Sequence, residues 1–137
     1  MRKFIYLLVP FFLSCNLTGN QSNCNDSEAK EMALELLKKK LENEIREESY
    51  STQPADSSIE ASIETGKRVE KEVKNKVAKL GYNNLKLENI ITTAKFDTLK
   101  KCHCESHIQH ETIGRIDFFY SVQLTDDGKI YVEELKK

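Results

Sequence analysis

The chain has 137 residues, enough for one domain with a single modest core. Its 21 basic and 22 acidic residues nearly balance, so the formal net charge is −1. A nucleic-acid partner would require a basic surface, and this balance argues against one.

The first fourteen residues have the layout of a secretory signal peptide. Arg2 and Lys3 supply a positive start. Residues 4–13 form an apolar run, and a small residue, Ser14, follows it. Because a membrane-spanning helix needs about 20 apolar residues, this run is too short to be one. We therefore expect an export leader over residues 1–14.

The end of the leader, Phe12-Leu13-Ser14-Cys15, resembles the lipobox of bacterial lipoproteins, although leucine is usual where Phe12 stands. The resemblance implies that Cys15 is diacylated, becomes the mature N-terminus and anchors the chain, since two acyl chains hold a protein firmly. In an ordinary secretory signal, Cys15 would instead be incidental. The next residue is Asn16 rather than Asp, which in lipoprotein sorting implies delivery to the outer membrane of a Gram-negative envelope.

Export shapes the expectations for the rest of the chain. Residues 15–25 are rich in Asn, Ser and Gln and predict a flexible tether, followed by a single domain over residues 26–137. Loss of Arg2 and Lys3 with the leader shifts the formal charge to −3. Disulfides persist in the exported compartment. We expect no cofactor, a membrane reached through the N-terminal lipid, and a protein partner in the envelope.

Two amphipathic helices come first. Asp26 or Ser27 is a candidate N-cap for a helix over 27–48. Its apolar stripe recurs every three or four residues: Ala29, Met32, Ala33, Leu36, Leu37, Leu41 and Ile45. Ser57 and Glu60 match a capping box for a second helix, which ends at Leu80 before a left-handed Gly81. The stripe predicted for this helix is Ile59, Ile63, Val69, Val73, Val77 and Leu80.

After Gly81 the apolar period changes to two, which is typical of strands. We predict four: 85–93, with a bulge near Asn89, then 99–109, 116–124 and 130–135. Asp126-Asp127-Gly128 marks a tight hairpin between the last two. No crossover helix fits between the strands, so the fold class is α+β, two helices followed by a four-stranded antiparallel meander. By analogy of element order alone, this is similar to cystatin-like and NTF2-like rolls.

If Cys15 is acylated, three cysteines remain. Cys102 and Cys104 are two apart on a predicted strand and therefore share one face of the sheet. Cys24 lies just before the first helix, so a disulfide to either of them would tie that helix to the sheet. The deeper position of Cys104 in the strand favours it as the partner of Cys24, with Cys102 as the alternative.

Part of the C-terminal half, about 85–135, resembles small bacterial lipoproteins of unknown function. The resemblance is carried by the segment from Cys104 and by the hairpin Leu124-Thr125-Asp126-Asp127-Gly128-Lys129-Ile130-Tyr131-Val132-Glu133. In those proteins a cysteine near the mature N-terminus accompanies one in mid-chain, which also points to Cys24 and Cys104. The resemblance implies no activity.

A metal site is the competing hypothesis for the same stretch. Cys102, Cys104 and His110 have suitable ligand atoms on one strand face, and some metal or haem delivery lipoproteins use Cys-x-Cys. The cysteine spacing of one residue is shorter than in usual zinc sites. His103 and His107 should face away from the cysteines, and each histidine by itself is expected to be an exposed strand residue.

The sequence contains no Gly-rich phosphate loop, no histidine pair at helical spacing and no nucleophile elbow. We therefore expect a membrane-anchored, non-catalytic lipoprotein domain that binds something in the envelope. One alternative is a metal- or ligand-carrying lipoprotein that uses the Cys102/Cys104 strand. Another is a small NTF2-like enzyme with titratable groups in the mouth of the sheet.

Overall fold

The computed structural model describes residues 22–53 and 58–136. The first helix, α1, covers Ser27–Ser51. Its N-cap is Asp26, whose carboxylate accepts hydrogen bonds from the backbone N–H groups of Glu28 at 2.9 Å and Ala29 at 3.3 Å. Of the two candidate caps, Asp26 is therefore the one used. The helix ends three residues later than the sequence predicted.

One side of α1 is buried as its apolar stripe predicted. The residues at the centre of the stripe are 0 to 7% exposed: Ala29, Ala33, Leu37 and Leu41. This side packs against the last two strands of the sheet. The hydrophobic core therefore lies between α1 and the sheet.

The second helix, α2, covers Ile59–Lys79 and differs from its prediction in two respects. The N-cap is Ser58, whose hydroxyl accepts a hydrogen bond from the Ala61 N–H at 3.2 Å. The predicted capping box from Ser57 to Glu60 therefore does not form the cap. Ser57 itself lies outside the described residues. Ile59 and Ile63, predicted in the buried stripe, are 81% and 55% exposed.

The reason for the exposed first turns is that α2 packs mainly against α1. Only the second half of α2 brings buried apolar side chains to that contact, namely Val69 and Val73. Arg46 of α1 also donates to the Glu70 carboxylate at 2.9 Å, an exposed pair that solvent screens. Gly81 ends the helix region in the left-handed conformation that was predicted, with φ of 58°.

The four strands are β1 (Glu88–Phe96), β2 (Lys101–His110), β3 (Gly114–Leu124) and β4 (Ile130–Glu134). They form one antiparallel sheet in the order β1-β2-β3-β4, which confirms the α+β class and the meander.

Strand β1 begins later than the sequence predicted. Leu85 does not belong to it, because this side chain is already buried in the core after a short 3₁₀ turn over Tyr82–Asn84. The predicted bulge is present, since Asn89 has a φ of 48° and the pairing register shifts between Glu88 and Ile91. Leu99, predicted in β2, lies instead in an exposed turn.

Strand alternation divides the sheet into two faces. We call the face toward α1 the core face; its residues on β2, β3 and β4 are Cys102, Cys104, Ser106, Ile108, Phe118, Tyr120, Val122 and Val132. The outer face carries the intervening residues Lys101, His103, Glu105, His107, Phe119, Ser121, Tyr131 and Glu133. The two faces present different chemistry, because the sulfur atoms lie on the core face and the charged side chains lie on the outer face.

Candidate functional site: the cysteine cluster and the outer face

The sulfur atoms of Cys24 and Cys104 lie 2.10 Å apart, with their Cα atoms 5.7 Å apart, so the structure joins them as a disulfide. The pair connects the turn before α1 with the middle of β2, across 80 residues of sequence. It is the pairing that the position of Cys104 in the strand favoured. Cys102, the alternative partner, is a free and buried thiol.

The turn before α1 explains why Cys24 reaches the sheet. The Asn25 N–H donates to the Asn23 side-chain oxygen at 2.9 Å, and the Asp26 N–H donates to the Asn23 carbonyl at 3.1 Å. Together with the Asp26 cap, these bonds set the direction in which the chain enters α1. Cys24 is thereby placed fully inside the core, at 0% exposure.

A third sulfur completes a cluster that the sequence analysis did not anticipate. The Cys102 Sγ atom lies 3.4 Å from the Sγ atom of Cys24 and 4.0 Å from that of Cys104. Cys102 and Cys104 are each 1% exposed. The sequence placed Cys102 and Cys104 on one face, but only the tertiary structure brings Cys24 against both. We call these three residues the sulfur cluster.

Two buried hydroxyl groups lie on the same face of the sheet as the sulfur cluster. Tyr120 stands directly opposite Cys104 across the β2–β3 pair, and Ser106 is the next core-face residue after Cys104. They are 0% and 1% exposed, and neither hydroxyl has a hydrogen-bond partner among the described residues. Burial raises the pKa of Tyr120 to about 12, and its electrostatic interaction with Cys102 acts in the same direction.

The structure does not bring His110 to the cysteines, although it was the third residue of the predicted metal site. His110 lies at the end of β2, where its Nδ1 atom accepts a hydrogen bond from the Thr112 N–H at 3.1 Å. Within the part of the chain that the structure describes, the cysteine group that could hold a metal takes Cys24 in its place.

The other two histidines lie on the outer face, opposite the cysteines, as strand alternation predicted. His107 is only 8% exposed, so the expectation of an exposed strand residue is wrong for it, and His103 and His110 are half-buried. Its Nε2 atom lies 3.8 Å from a Glu88 carboxylate oxygen, beside the bulge of β1. Glu88 is the register partner of His107 on β1, a contact that no spacing rule on β2 could reveal.

The outer face carries a polar row that sequence reasoning missed. His103, Ser121 and Glu133 are register partners across β2, β3 and β4. Lys101 donates to the Glu133 carboxylate at 2.9 Å, and Ser121 donates to the same oxygen at 3.3 Å. The hydrogen bond from Lys101 is the main cause that holds the pKa of Glu133 below its usual range. The sequence signal that could have indicated this row is the two-residue alternation of β3, which places Ser121 on the face opposite Tyr120 and Val122.

Exposed apolar and aromatic side chains flank the polar row. Phe96 is 38% exposed and its ring centroid lies 4.8 Å from that of His103. Tyr131 on β4 is 53% exposed, and Ile91 on β1 is 57% exposed. The outer face thus combines aromatic surface with a fixed arrangement of charges.

The space between α1 and the sheet is filled with side chains. Its largest members, Leu37, Ile108, Phe118 and Tyr120, are all between 0 and 1% exposed. Among the described residues, the buried polar side chains are three serines and His107, and no carboxylate is buried.

The predicted anchor lies outside the described residues. This applies to the leader, residues 1–14, and to the proposed lipid attachment at Cys15. Within residues 22–53 and 58–136, no helix combines the length and the apolar character needed to cross a membrane. No family model, curated protein or solved structure matches the chain.

Proposed function

We propose that this chain is a bacterial lipoprotein, anchored in the cell envelope through acylated Cys15, whose domain binds a partner protein and catalyses no reaction. The supporting observation is the link between Cys24 and Cys104, which ties the first described turn to the sheet nine residues after the lipobox-like cysteine. A buried disulfide across 80 residues suits a domain that works in an oxidising, exported compartment.

The outer face supports the binding role. Aromatic residues are enriched where proteins meet, because they offer a large contact area at a small cost in side-chain entropy. Phe96 and Tyr131 are partly exposed on this face, and the ordered Lys101–Glu133 pair lies near them. We therefore assign partner binding to the outer face and a structural role to the filled core face.

The first prediction concerns the lipid anchor at Cys15. When the full chain is expressed in a Gram-negative host with an alkyne-bearing fatty acid, it should become labelled and fractionate with membranes. Cys15→Ser should abolish the label and release the chain, because the acyl chains provide the attachment. Intact-mass spectrometry of the labelled chain should place the mature N-terminus at Cys15.

Cys102→Ser is the matched control for the anchor, since it also removes one thiol but leaves the lipobox unchanged. This variant should label and fractionate as the native chain does. An unlabelled native chain, or one processed elsewhere than at Cys15, would contradict the lipoprotein assignment.

The second prediction concerns partner binding by the outer face. A photo-crosslinking amino acid in place of Tyr131 should capture an envelope protein in living cells, because this side chain is exposed beside the polar row. The same amino acid at Lys74 is the control; Lys74 is exposed on α2, which packs on α1 away from the sheet. Capture only from position 131 is expected. Equal capture from both positions, or none from 131, would rule out the outer face as the binding surface.

A further inference from the structure

The sulfur cluster has the dimensions of a site for a thiolate-bound metal ion. A metal ion bound to thiolate sulfurs at about 2.3 Å, at the centre of a triangle, sets those sulfurs roughly 4 Å apart. Cys102 Sγ is 4.0 Å from Cys104 Sγ and 3.4 Å from Cys24 Sγ, and all three ligand atoms lie within 4.8 Å of one another. Once Cys24 and Cys104 are no longer bonded, only these two need to separate.

The ligand set selects for a soft ion. Thiolates prefer Cu(I) and similar polarisable cations, whereas zinc sites almost always complete a fourth position. In the described chain, no histidine or carboxylate belongs to the group formed by Cys24, Cys102 and Cys104. Three sulfurs without a fourth protein ligand match a low-coordinate, monovalent ion better than zinc.

Three buried hydroxyls lack a hydrogen-bond partner among the described residues, on Tyr82, Ser106 and Tyr120, and the last two are a second observation that bears on the site. Tyr120 and Ser106 are buried polar groups on the face that carries the cysteines, and they donate to no described residue. Leaving such donors unpaired in the interior is unfavourable. Thiolate sulfurs are acceptors, and hydroxyl donors around metal-bound thiolates stabilise their charge. A charged metal–thiolate group on this face would offer acceptors beside both residues, since Tyr120 is the register partner of Cys104 and Ser106 is the next core-face residue after Cys104.

We propose that Cys24, Cys102 and Cys104, when the Cys24–Cys104 bond is reduced, form a buried site for one soft monovalent cation of the Cu(I) class, with Tyr120 and Ser106 as supporting donors. A dithiol reductant supplies two electrons and two protons. It becomes a disulfide, and Cys24 and Cys104 become thiols. Cu(I) then displaces thiol protons to solvent. The disulfide form and the metal form are mutually exclusive, since both use Cys24 and Cys104.

The test uses the full chain carrying Cys15→Ser, so that the three clustered cysteines are the only thiols. The chain is reduced with a dithiol under anaerobic conditions, freed of reductant and titrated with Cu(I) held by a colorimetric chelator. We expect uptake of one equivalent, an ultraviolet thiolate-to-copper charge-transfer band and a far-ultraviolet circular dichroism spectrum of a folded chain. The oxidised chain should take up none.

Three variants in this background separate the site from adventitious thiol binding. Cys102→Ser leaves the disulfide pair intact and should weaken Cu(I) binding by at least roughly 100-fold. Tyr120→Phe keeps the ring but removes the donor, and should weaken binding by about 10- to 100-fold. Ser121→Ala, a buried serine on the outer face, should leave the affinity unchanged.

Several outcomes would overturn the site. One is a reduced chain that takes up no Cu(I), or that is unfolded and stays unfolded when Cu(I) is added. The site would also be overturned if the Cys15→Ser chain bound Cu(I) with the same affinity with and without Cys102→Ser. Cys102 would then be only a small apolar residue of the core. None of these results bears on acylation at Cys15 or on capture from position 131, so this proposal and the proposed function fail separately.

Discussion

Replacement of Cys24 or Cys104 by alanine is expected to lower the free energy of unfolding by about 4 kcal/mol. The physical reason is the sequence separation of 80 residues, because a cross-link that closes a long loop strongly restricts the unfolded chain. A domain of this size has a total stability of about 5–15 kcal/mol, so the loss is a large part of it. Urea denaturation followed by circular dichroism measures the change.

Cys102→Ala is the matched control for this experiment, since Cys102 is equally buried but is not part of the bond. It should cost about 1 kcal/mol, as an ordinary small change in a core does. A reducing agent should destabilise the native chain and Cys102→Ala but leave the Cys24 and Cys104 variants unchanged. If the native chain is insensitive to reduction, the cross-link does not contribute to stability.

A thiol count reports the same bond directly. Under denaturing, non-reducing conditions, the full chain carrying Cys15→Ser should show a single reactive thiol, Cys102. Three reactive thiols would mean that the chain is isolated without the cross-link. That result would remove the supporting observation for an exported, disulfide-stabilised domain.

Leu37→Ala is expected to lower the free energy of unfolding by about 3 kcal/mol. Leu37 is 0% exposed at the centre of the α1 stripe, so the substitution removes apolar contacts and leaves a cavity between α1 and the sheet. Leu99→Ala is the same chemical change at a side chain that is 58% exposed, and should alter stability by less than about 0.5 kcal/mol. Equal losses in the two variants would contradict the location of the core.

The elements with strong periodicity could be predicted from the sequence alone. The α1 stripe and the alternation of β3 each follow from one buried face, because side chains repeat every 3.6 residues in a helix and every two in a strand. Asp126-Asp127-Gly128 is the hairpin connection between β3 and β4, where Gly128 has a φ of 80°. Local signals of this kind were sufficient for the α+β class.

The errors lie where burial depends on a neighbour. Ile59 and Ile63 continue an apolar stripe, but helix period alone does not tell how far the partner helix extends along it. Leu85 is buried without belonging to β1. His107 is buried, and Glu88, its register partner on β1, lies beside its imidazole. In each case the missing information was a contact between distant parts of the chain.

The cysteines also show the difference between local information in the sequence and contacts between distant parts of the chain. By itself, the sequence determined that Cys102 and Cys104 share a face and that Cys24 precedes the first helix, because local geometry follows from spacing. It could not determine which of the two meets Cys24, since that depends on where the turn before α1 meets β2. The tertiary structure decided for Cys104, and it also placed Cys102 within 3.4 Å of Cys24. A pair expected from the sequence thereby became a cluster of three sulfurs.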